Sequence, residues 1–150
     1  MNEPTASRRH NMAAIRGKNT LPERLLRSAL FADGLRYRLH VRAMPGTPDL
    51  VFRKFNAVVF VHGCFWHRHN GCRFTAVPKS NAKFWGDKFA ANQRRDELSR
   101  LRLRDEGWRV GVVWECAIRK SPHEAAQQLA SWLRAGDSAE INIGDANRGQ

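Results

Sequence analysis

The sequence predicts a single α/β domain in which helices flank a mixed β-sheet. Helical and strand-like patterns alternate along the chain in the order α, β, β, β, long α, β, α, which is typical of this fold class. The length of 150 residues suits one domain, and 42% hydrophobic residues can form its core. We therefore predict one domain over residues 1–135, with a polar N-terminal arm at 1–18 and a disordered tail at 136–150.

Element boundaries follow from capping signals and from hydrophobic periodicity. Thr20 and Glu23 form a capping-box pattern at the start of the first helix, and Gly107 closes a long helix that begins near Asn81. Short apolar runs at 49–52 and 57–61 predict two adjacent antiparallel strands. The other predicted elements are strands at 35–41 and 108–114 and an amphipathic helix at 122–134.

The balance of charge predicts a polyanionic partner. Lysine and arginine total 26 against 14 acidic residues, so the formal net charge is +12. The arginines are spread along the chain, as expected of a folded surface that binds nucleic acid. No apolar run approaches the roughly 20 residues that cross a bilayer, and the N-terminus lacks the apolar centre of a secretory signal. We therefore expect a cytoplasmic protein with no membrane contact.

Cysteine and histidine residues are concentrated in one irregular segment, from His62 to Cys72. Cys116 follows the last apolar strand pattern, and a sheet can bring it beside that segment. Three thiolates and one imidazole would complete a structural, tetrahedral zinc site. The alternative is that the cysteines are small buried apolar residues. The spacing does not decide whether His67 or His69 is the imidazole ligand, and a neutral histidine outside the zinc shell is a candidate general base.

Two acidic residues stand at positions that suit metal or proton chemistry. Asp49 begins a strand after a turn-rich loop, where an ionised carboxylate is a natural magnesium ligand. Asp96 lies on the long helix, four residues after Asn92 and on the same face. Each signal is weak by itself, because a Pro-Asp pair occurs in many turns and Asp96 in isolation reads as an exposed ion pair.

Four motifs, taken in order, resemble the very-short-patch repair endonucleases. They are PGTPDLVF, VVFVHGCFWHRHNGC, FWGDKFAANQRRD and GWRVGVVWEC, and with the lead-in MAAIRGKNTLPERLLRSAL the likeness runs from about Arg8 to Cys116. The resemblance implies a fold related to type II restriction endonucleases. It also implies Mg-dependent, strand-specific hydrolysis of double-stranded DNA 5′ of the thymine in a T·G mismatch, the lesion left when 5-methylcytosine deaminates.

The resemblance implies roles for individual active-site residues. Asp49 matches the carboxylate that binds magnesium, and Val61 falls where the family uses a main-chain carbonyl for the same ion. His67 matches the catalytic histidine, close enough to activate water for attack on the phosphodiester. Supporting positions are matched by His62, by Asp96 and, on the first helix, by Glu23.

For zinc, the resemblance implies three thiolates and one imidazole, from Cys64, Cys72, Cys116 and His69, which leaves His67 free. The segment between Cys64 and Cys72 looks one residue longer than in the best-known members, at Asn70-Gly71. The second acid and the lysine that follow the first Asp in restriction enzymes are also missing, so histidine chemistry has to replace them.

The resemblance assigns mismatch recognition to large side chains. Phe65, Trp66 and Trp85 match residues that insert into the duplex at the mismatch, and Met12 matches one that enters from the opposite groove. An exposed aromatic can wedge between base steps, and it does so more cheaply at a mispair. Core packing is expected instead for Phe84, Phe89, Leu98, Trp108 and Trp114.

Two other functions remain open from the sequence. A restriction-type endonuclease would cut a specific sequence without a mismatch, whereas a zinc-stabilised DNA-binding module would have lost catalysis. The joint presence of Asp49, His62, His67 and Asp96 argues against the second. The expected partner is double-stranded DNA with a T·G mismatch. We expect a monomer, with functional links to a cytosine-5 DNA methyltransferase and to mismatch-repair proteins.

Overall fold

The computed structural model describes residues 19–72, 75 and 78–144. The strands are β1 (Arg38–Leu39), β2 (Leu50–Phe52), β3 (Ala57–His62), β4 (Arg109–Trp114) and β5 (Glu140–Ile143), and the helices are α1 (Leu21–Ala32), α2 (Ala82–Asp105), α3 (Glu115–Lys120) and α4 (Pro122–Ala135). The strands form one sheet in the order β1-β2-β3-β4-β5. The pairs β1–β2 and β2–β3 are antiparallel, and the pairs β3–β4 and β4–β5 are parallel. The predicted α/β fold with a mixed sheet is confirmed.

The two faces of the sheet carry cores of different size. The larger core packs α1, α3 and α4 against one face, with Leu30 of α1, Leu129 of α4 and Val59 of β3 fully buried. The smaller core packs Leu103 of α2 against Val58 on the other face, since successive strand residues point to opposite sides. Among the described residues, no helix is both long and apolar enough to cross a membrane.

The start of α1 follows the predicted capping signal, with one difference. The Thr20 side chain accepts the backbone N–H of Glu23 at 3.4 Å, as an N-cap does. The Glu23 carboxylate does not close a capping box on Thr20; it accepts the N–H of Asn19 at 3.0 Å instead. Glu23 is only 1% exposed, so the first turn of α1 places a buried acid beside the sheet.

The first predicted strand is shorter than expected. Only Arg38–Leu39 pairs with β2, whereas residues 35–41 were predicted to be extended. The strand ends at His40 because this residue has a φ of +46°, which breaks the extended geometry. The short helix α3, which directly follows β4, was not predicted from the periodicity.

The segment predicted to be a disordered tail contains the last strand. Residues 140–143 pair with β4, and Ile143 is 2% exposed within the larger core. Glu140 accepts Arg100 of α2 at 2.8 Å and contacts Arg104 at 3.4 Å. The prediction of disorder is therefore wrong for these residues, and two arginines expected to face nucleic acid instead tie α2 to the sheet edge. The predicted arm at 1–18 and residues 145–150 lie outside the described residues.

The burial of Ile143 predicts that β5 contributes to stability. Replacing Ile143 with Ala leaves a cavity beside β4, and such a change costs about 2–5 kcal/mol of unfolding free energy. The control is Leu101→Ala on α2, because Leu101 is 48% exposed and its truncation should stay within about 0.5 kcal/mol. Urea unfolding followed by circular dichroism makes the comparison. Equal midpoints for the two variants would show that β5 is not part of the folded core.

Candidate active site and metal-binding cluster

The parallel pairing of β3 with β4 brings two functional segments to one end of the sheet. The register pairs His62 with Trp114, the last residues of the two strands. Cys64 and Cys116 each lie two residues further along, so the loop after β3 and the start of α3 meet there. The backbone N–H of Cys64 donates to Glu115 Oε1 at 3.2 Å, which closes this junction.

Four side chains in this junction have the geometry of a tetrahedral metal site. Ligand atoms of Cys64, His69, Cys72 and Cys116 all lie within 4.8 Å of one another. The Nδ1 atom of His69 is 3.6 Å from the Cys64 sulfur and 3.4 Å from the Cys116 sulfur. Zinc bond lengths of about 2.3 Å to sulfur and 2.0–2.1 Å to nitrogen give about 3.6 Å for this edge of a tetrahedron. The four residues therefore fit zinc.

The surroundings of the cluster make a bound cation favourable. Burial raises the pKa of the Cys64 and Cys116 thiols, so thiolates at this position need a positive partner. The His69 ring is stacked on Trp114, with centroids 4.1 Å apart and planes at 8°. This stacking fixes the ring whose Nδ1 faces the sulfurs. His67 does not belong to the cluster, which resolves the choice that spacing left open.

His67 instead faces the long helix. Its Nδ1 atom is 2.5 Å from Asp96 Oδ2. One turn earlier, the Asn92 side chain donates to the Trp66 carbonyl at 3.2 Å. The spacing of four residues thus places both helix side chains on the face that holds the loop. Within the loop, the His67 N–H donates to the Gly63 carbonyl at 3.1 Å.

His62 lies directly beneath His67. The two imidazole rings stack with centroids 3.9 Å apart and planes at 2°, and His62 meets Trp114 edge-on at 5.1 Å. Burial, with smaller contributions from His67 and His69, holds the pKa of His62 well below its ordinary value, so this imidazole is neutral. Its buried Nδ1 atom has no hydrogen-bond partner among the described residues.

Asp49 lies at the start of β2, facing the end of β3. Its Oδ2 atom accepts the backbone N–H of Val61 at 2.7 Å. Burial raises the pKa of Asp49 to about 7; the hydrogen bond from Val61 opposes the shift and the charge of Glu23 adds to it. Asp49 lines a cleft of about 720 Å³ that His67 and Asp96 also line. Three residues predicted from distant parts of the sequence thus share one cleft.

A histidine that the sequence analysis did not select lies beside Asp49. The Nε2 atom of His40 is 2.6 Å from Glu23 Oε2 and 3.9 Å from Asp49 Oδ1. Its backbone N–H donates to the Asp49 carbonyl at 3.0 Å, which extends the β1–β2 ladder by one pair. An antiparallel register between residues 35–41 and 49–52 was the one signal that could have placed His40 opposite Asp49.

The aromatic residues assigned to mismatch recognition form one packed cluster. Phe65, Trp66, Trp85 and Phe89 have ring centroids 5.0–5.9 Å apart. Arg68 lies over the Phe89 ring at 4.1 Å. Phe65 and Trp85 are partly exposed, whereas Trp66 is only 8% exposed. Phe65 and Trp85 are therefore accessible as the cluster stands, and Trp66 is covered by its neighbours.

Not every expectation of core packing holds. Phe89 is buried, as predicted, but Phe84 and Leu98 are 59% and 61% exposed. Both lie on the solvent-facing side of α2, a helix in which Phe89 and Leu103 are the buried side chains among its described residues. Trp108 and Trp114 are partly buried. Met12 lies outside the described residues.

Comparisons with known proteins agree with this arrangement. A family model described as DNA mismatch endonuclease Vsr matches residues 3–73. The DNA mismatch endonuclease Vsr of Escherichia coli is 41% identical over 142 residues, which cover 92% of this chain and 90% of that protein. The type II nicking enzyme V.XorIIP of Xanthomonas oryzae pv. oryzae is 50% identical over 111 residues, or 74% and 81% of the two chains. V.NmeAIP of Neisseria meningitidis, also a type II nicking enzyme, is 43% identical over 115 residues, or 77% and 81%.

The four-residue cluster predicts a stoichiometric structural zinc. Elemental analysis of purified protein should find about one zinc per chain, and Cys116→Ser should lower both the zinc content and the melting temperature. His69→Ala should also lower the zinc content and the melting temperature, because the His69 Nδ1 atom faces the cysteine sulfurs. The control is His123→Ala, since His123 is exposed on α4. Full zinc retention in the Cys116 and His69 variants would exclude this ligand set.

Proposed function

Because this chain belongs to the Vsr family of DNA mismatch endonucleases, we propose that it nicks double-stranded DNA 5′ of the thymine in a T·G mismatch. DNA-cleaving hydrolysis is common to the family and to the nicking enzymes that the chain resembles. The T·G mismatch as substrate, the thymine strand as the one cut and Mg²⁺ as the catalytic ion are our proposals for this chain. The lesion class would be the product of 5-methylcytosine deamination.

One observation carries the catalytic part of the proposal. A single cleft contains Asp49, whose Oδ2 is fixed by a backbone N–H, and the His67–Asp96 pair at 2.5 Å. Hydrolysis of a phosphodiester needs a site for a divalent cation and a base that takes a proton from water. Asp49 provides the first and His67 the second. A module that only binds DNA has no need of either.

The contacts of His67 define how it acts as a base. With Nδ1–H donated to Asp96, the lone pair of the neutral ring is on Nε2, which can take the proton of the attacking water. The Asp96 carboxylate then stabilises the imidazolium that forms. The neutral His62 ring stacked at 3.9 Å adds no repulsion to that charge. Asp96 and His62 are thus positioning residues, and His67 is the catalytic residue.

The cation site is the second part of the chemistry. When bound, Mg²⁺ would neutralise charge that develops on the phosphate and lower the pKa of the attacking water. Asp49 must be ionised to hold it, and because burial raises the pKa of Asp49 to about 7, a bound cation would favour loss of this proton. The Val61 carbonyl is proposed as a further oxygen ligand.

Recognition of the mismatch is proposed for the aromatic cluster. Phe65 and Trp85 are its partly exposed members, and they lie on the loop and on the helix that hold His67. Insertion at a mispair costs less unstacking energy than insertion at T·A. Trp66 would enter the duplex only after the cluster opens, because its neighbours cover it. Met12 in the arm, the monomeric state and the links to a methyltransferase and to repair proteins remain predictions.

The role of Asp49 predicts loss of cleavage without loss of binding. Asp49→Ala should lower the rate of nicking of a T·G duplex by about 1000-fold or more, because the cation supplies several kcal/mol and 1.36 kcal/mol is tenfold. Affinity for the same duplex in the absence of divalent ions should change little. Asp105→Ala is the matched control, since Asp105 is exposed at the end of α2. Nicking by Asp49→Ala at the rate of the control would remove Asp49 from the mechanism.

The aromatic cluster predicts which side chains discriminate T·G from T·A. Trp85→Ala and Trp66→Ala should lower the T·G to T·A affinity ratio by about tenfold, because unstacking costs a few kcal/mol per step and 1.4 kcal/mol is tenfold. Fluorescence anisotropy at fixed salt gives the ratio, and Phe31→Ala serves as an exposed aromatic control on α1. An unchanged T·G to T·A affinity ratio in the folded variants would show that other residues recognise the mismatch. Equal nicking of the T·G and T·A duplexes by the wild type would favour the restriction-type alternative.

A further inference from the structure

Glu23, His40 and Asp49 converge from three separate segments of the chain. One ligand atom of each lies within 4.8 Å of the others. His40 Nε2 is central: it is 2.6 Å from Glu23 Oε2 and 3.9 Å from Asp49 Oδ1. Neither composition nor the family resemblance pointed to His40. The imidazole of His40 therefore places a nitrogen atom beside the oxygen ligands proposed for the cation at Asp49.

The fold holds these three side chains in place. His40 has a φ of +46°, a conformation that residues other than glycine rarely adopt and that is retained when the surroundings impose it. Its N–H donates to the Asp49 carbonyl at 3.0 Å, so the two residues are locked side by side. Glu23 is 1% exposed, and Arg27 donates to its Oε2 at 2.8 Å. This ion pair with Arg27 fixes the orientation of the buried carboxylate.

We propose that His40 and Glu23 complete the divalent-cation site at Asp49, which then has both nitrogen and oxygen ligands and accepts first-row transition-metal dications such as Mn²⁺ in addition to Mg²⁺. The inference rests on the proposed metal role of Asp49 and extends it. It makes His40 a metal ligand, and it assigns Glu23 to the first coordination shell as a carboxylate ligand.

The hydrogen bonds of Asp49 indicate on which side the cation lies. Oδ2 accepts the N–H of Val61 at 2.7 Å, which leaves Oδ1 as the oxygen turned toward His40. To bind a cation, His40 must present the Nε2 lone pair, so the ring proton resides on Nδ1 and the contact with Glu23 is replaced by the metal. Nε2 and Oδ1 are 3.9 Å apart, and adjacent positions around one octahedral ion, with bonds of about 2.1 Å, would bring these two atoms to about 3.0 Å.

A nitrogen ligand changes which ions the site prefers. Mg²⁺ favours an all-oxygen shell and retains several waters, whereas imidazole is a ligand suited to transition metals. His40 should therefore contribute more to the affinity for Mn²⁺ than to the affinity for Mg²⁺. Mn²⁺ is also a selective probe, because a hard ion does not displace zinc from three thiolates.

The test is pulsed electron paramagnetic resonance of Mn²⁺ bound to the full, zinc-loaded chain without DNA. The wild type should show coupling of Mn²⁺ to one histidine ¹⁴N, and the coupling should vanish in His40→Gln. Mn²⁺ affinity of this variant should fall by at least about tenfold, as seen when even outer partners of a metal ligand are removed, and Mg²⁺ affinity should fall less. His123→Gln is the control, because His123 is exposed and remote on α4. Melting temperature and zinc content report whether each variant folds. If His40→Gln does not fold, His40→Asn replaces it in the same measurements.

Three results would overturn the inference. Coupling that persists in folded His40→Gln would assign the nitrogen to another histidine, such as His62 or His67. In a second outcome, the wild type binds Mn²⁺ without any ¹⁴N coupling, and Asp49→Asn loses this binding. That result would keep Asp49 as a metal ligand and exclude His40. If the wild type binds neither Mn²⁺ nor Mg²⁺, the proposed metal role of Asp49 fails together with the inference.

Discussion

The parallel hydrogen bonding between β3 and β4 determines where the functional side chains meet. Six consecutive residue pairs fix the register, and the last pair is His62 with Trp114. A slip by one residue would turn every side chain of one strand to the opposite face. It would also separate Cys64 from Cys116, the residues that follow each strand at the same distance. The four-residue Cys/His cluster and the loop that carries His67 therefore both depend on the register of two buried strands.

A continuous series of ring contacts connects the four-residue Cys/His cluster to His67. His69 stacks on Trp114, Trp114 meets His62 edge-on, and His62 stacks on His67. Asp96 of α2 holds the far end of this series through His67. Rings packed at 3.9–5.1 Å leave little freedom for the central histidine. This series of rings, together with Asp96 of α2, thus orients His67, which lies in a loop without regular secondary structure.

The acidic part of the cleft depends on buried polar contacts more than on packing. The Glu23 carboxylate is held by Arg27, the Asn19 N–H and His40. Among the described residues, the Asp49 carboxylate accepts one backbone hydrogen bond, and burial raises its pKa to about 7. The two carboxylates therefore differ in environment although they lie close together.

Local patterns in the sequence determined the fold class, the two longer helices, the strands that end at Phe52 and Trp114, and the cysteine-rich segment as a candidate metal cluster, because periodicity, caps and ligand types are encoded within short windows. Family likeness added the roles proposed for Asp49 and His67. Only the tertiary structure ordered β5 in a polar segment and brought His40 to Asp49, and it placed His69 rather than His67 beside the three cysteines, as the family likeness implied. Each of these outcomes depends on pairing between residues far apart in the chain, and neither composition nor spacing carries that information.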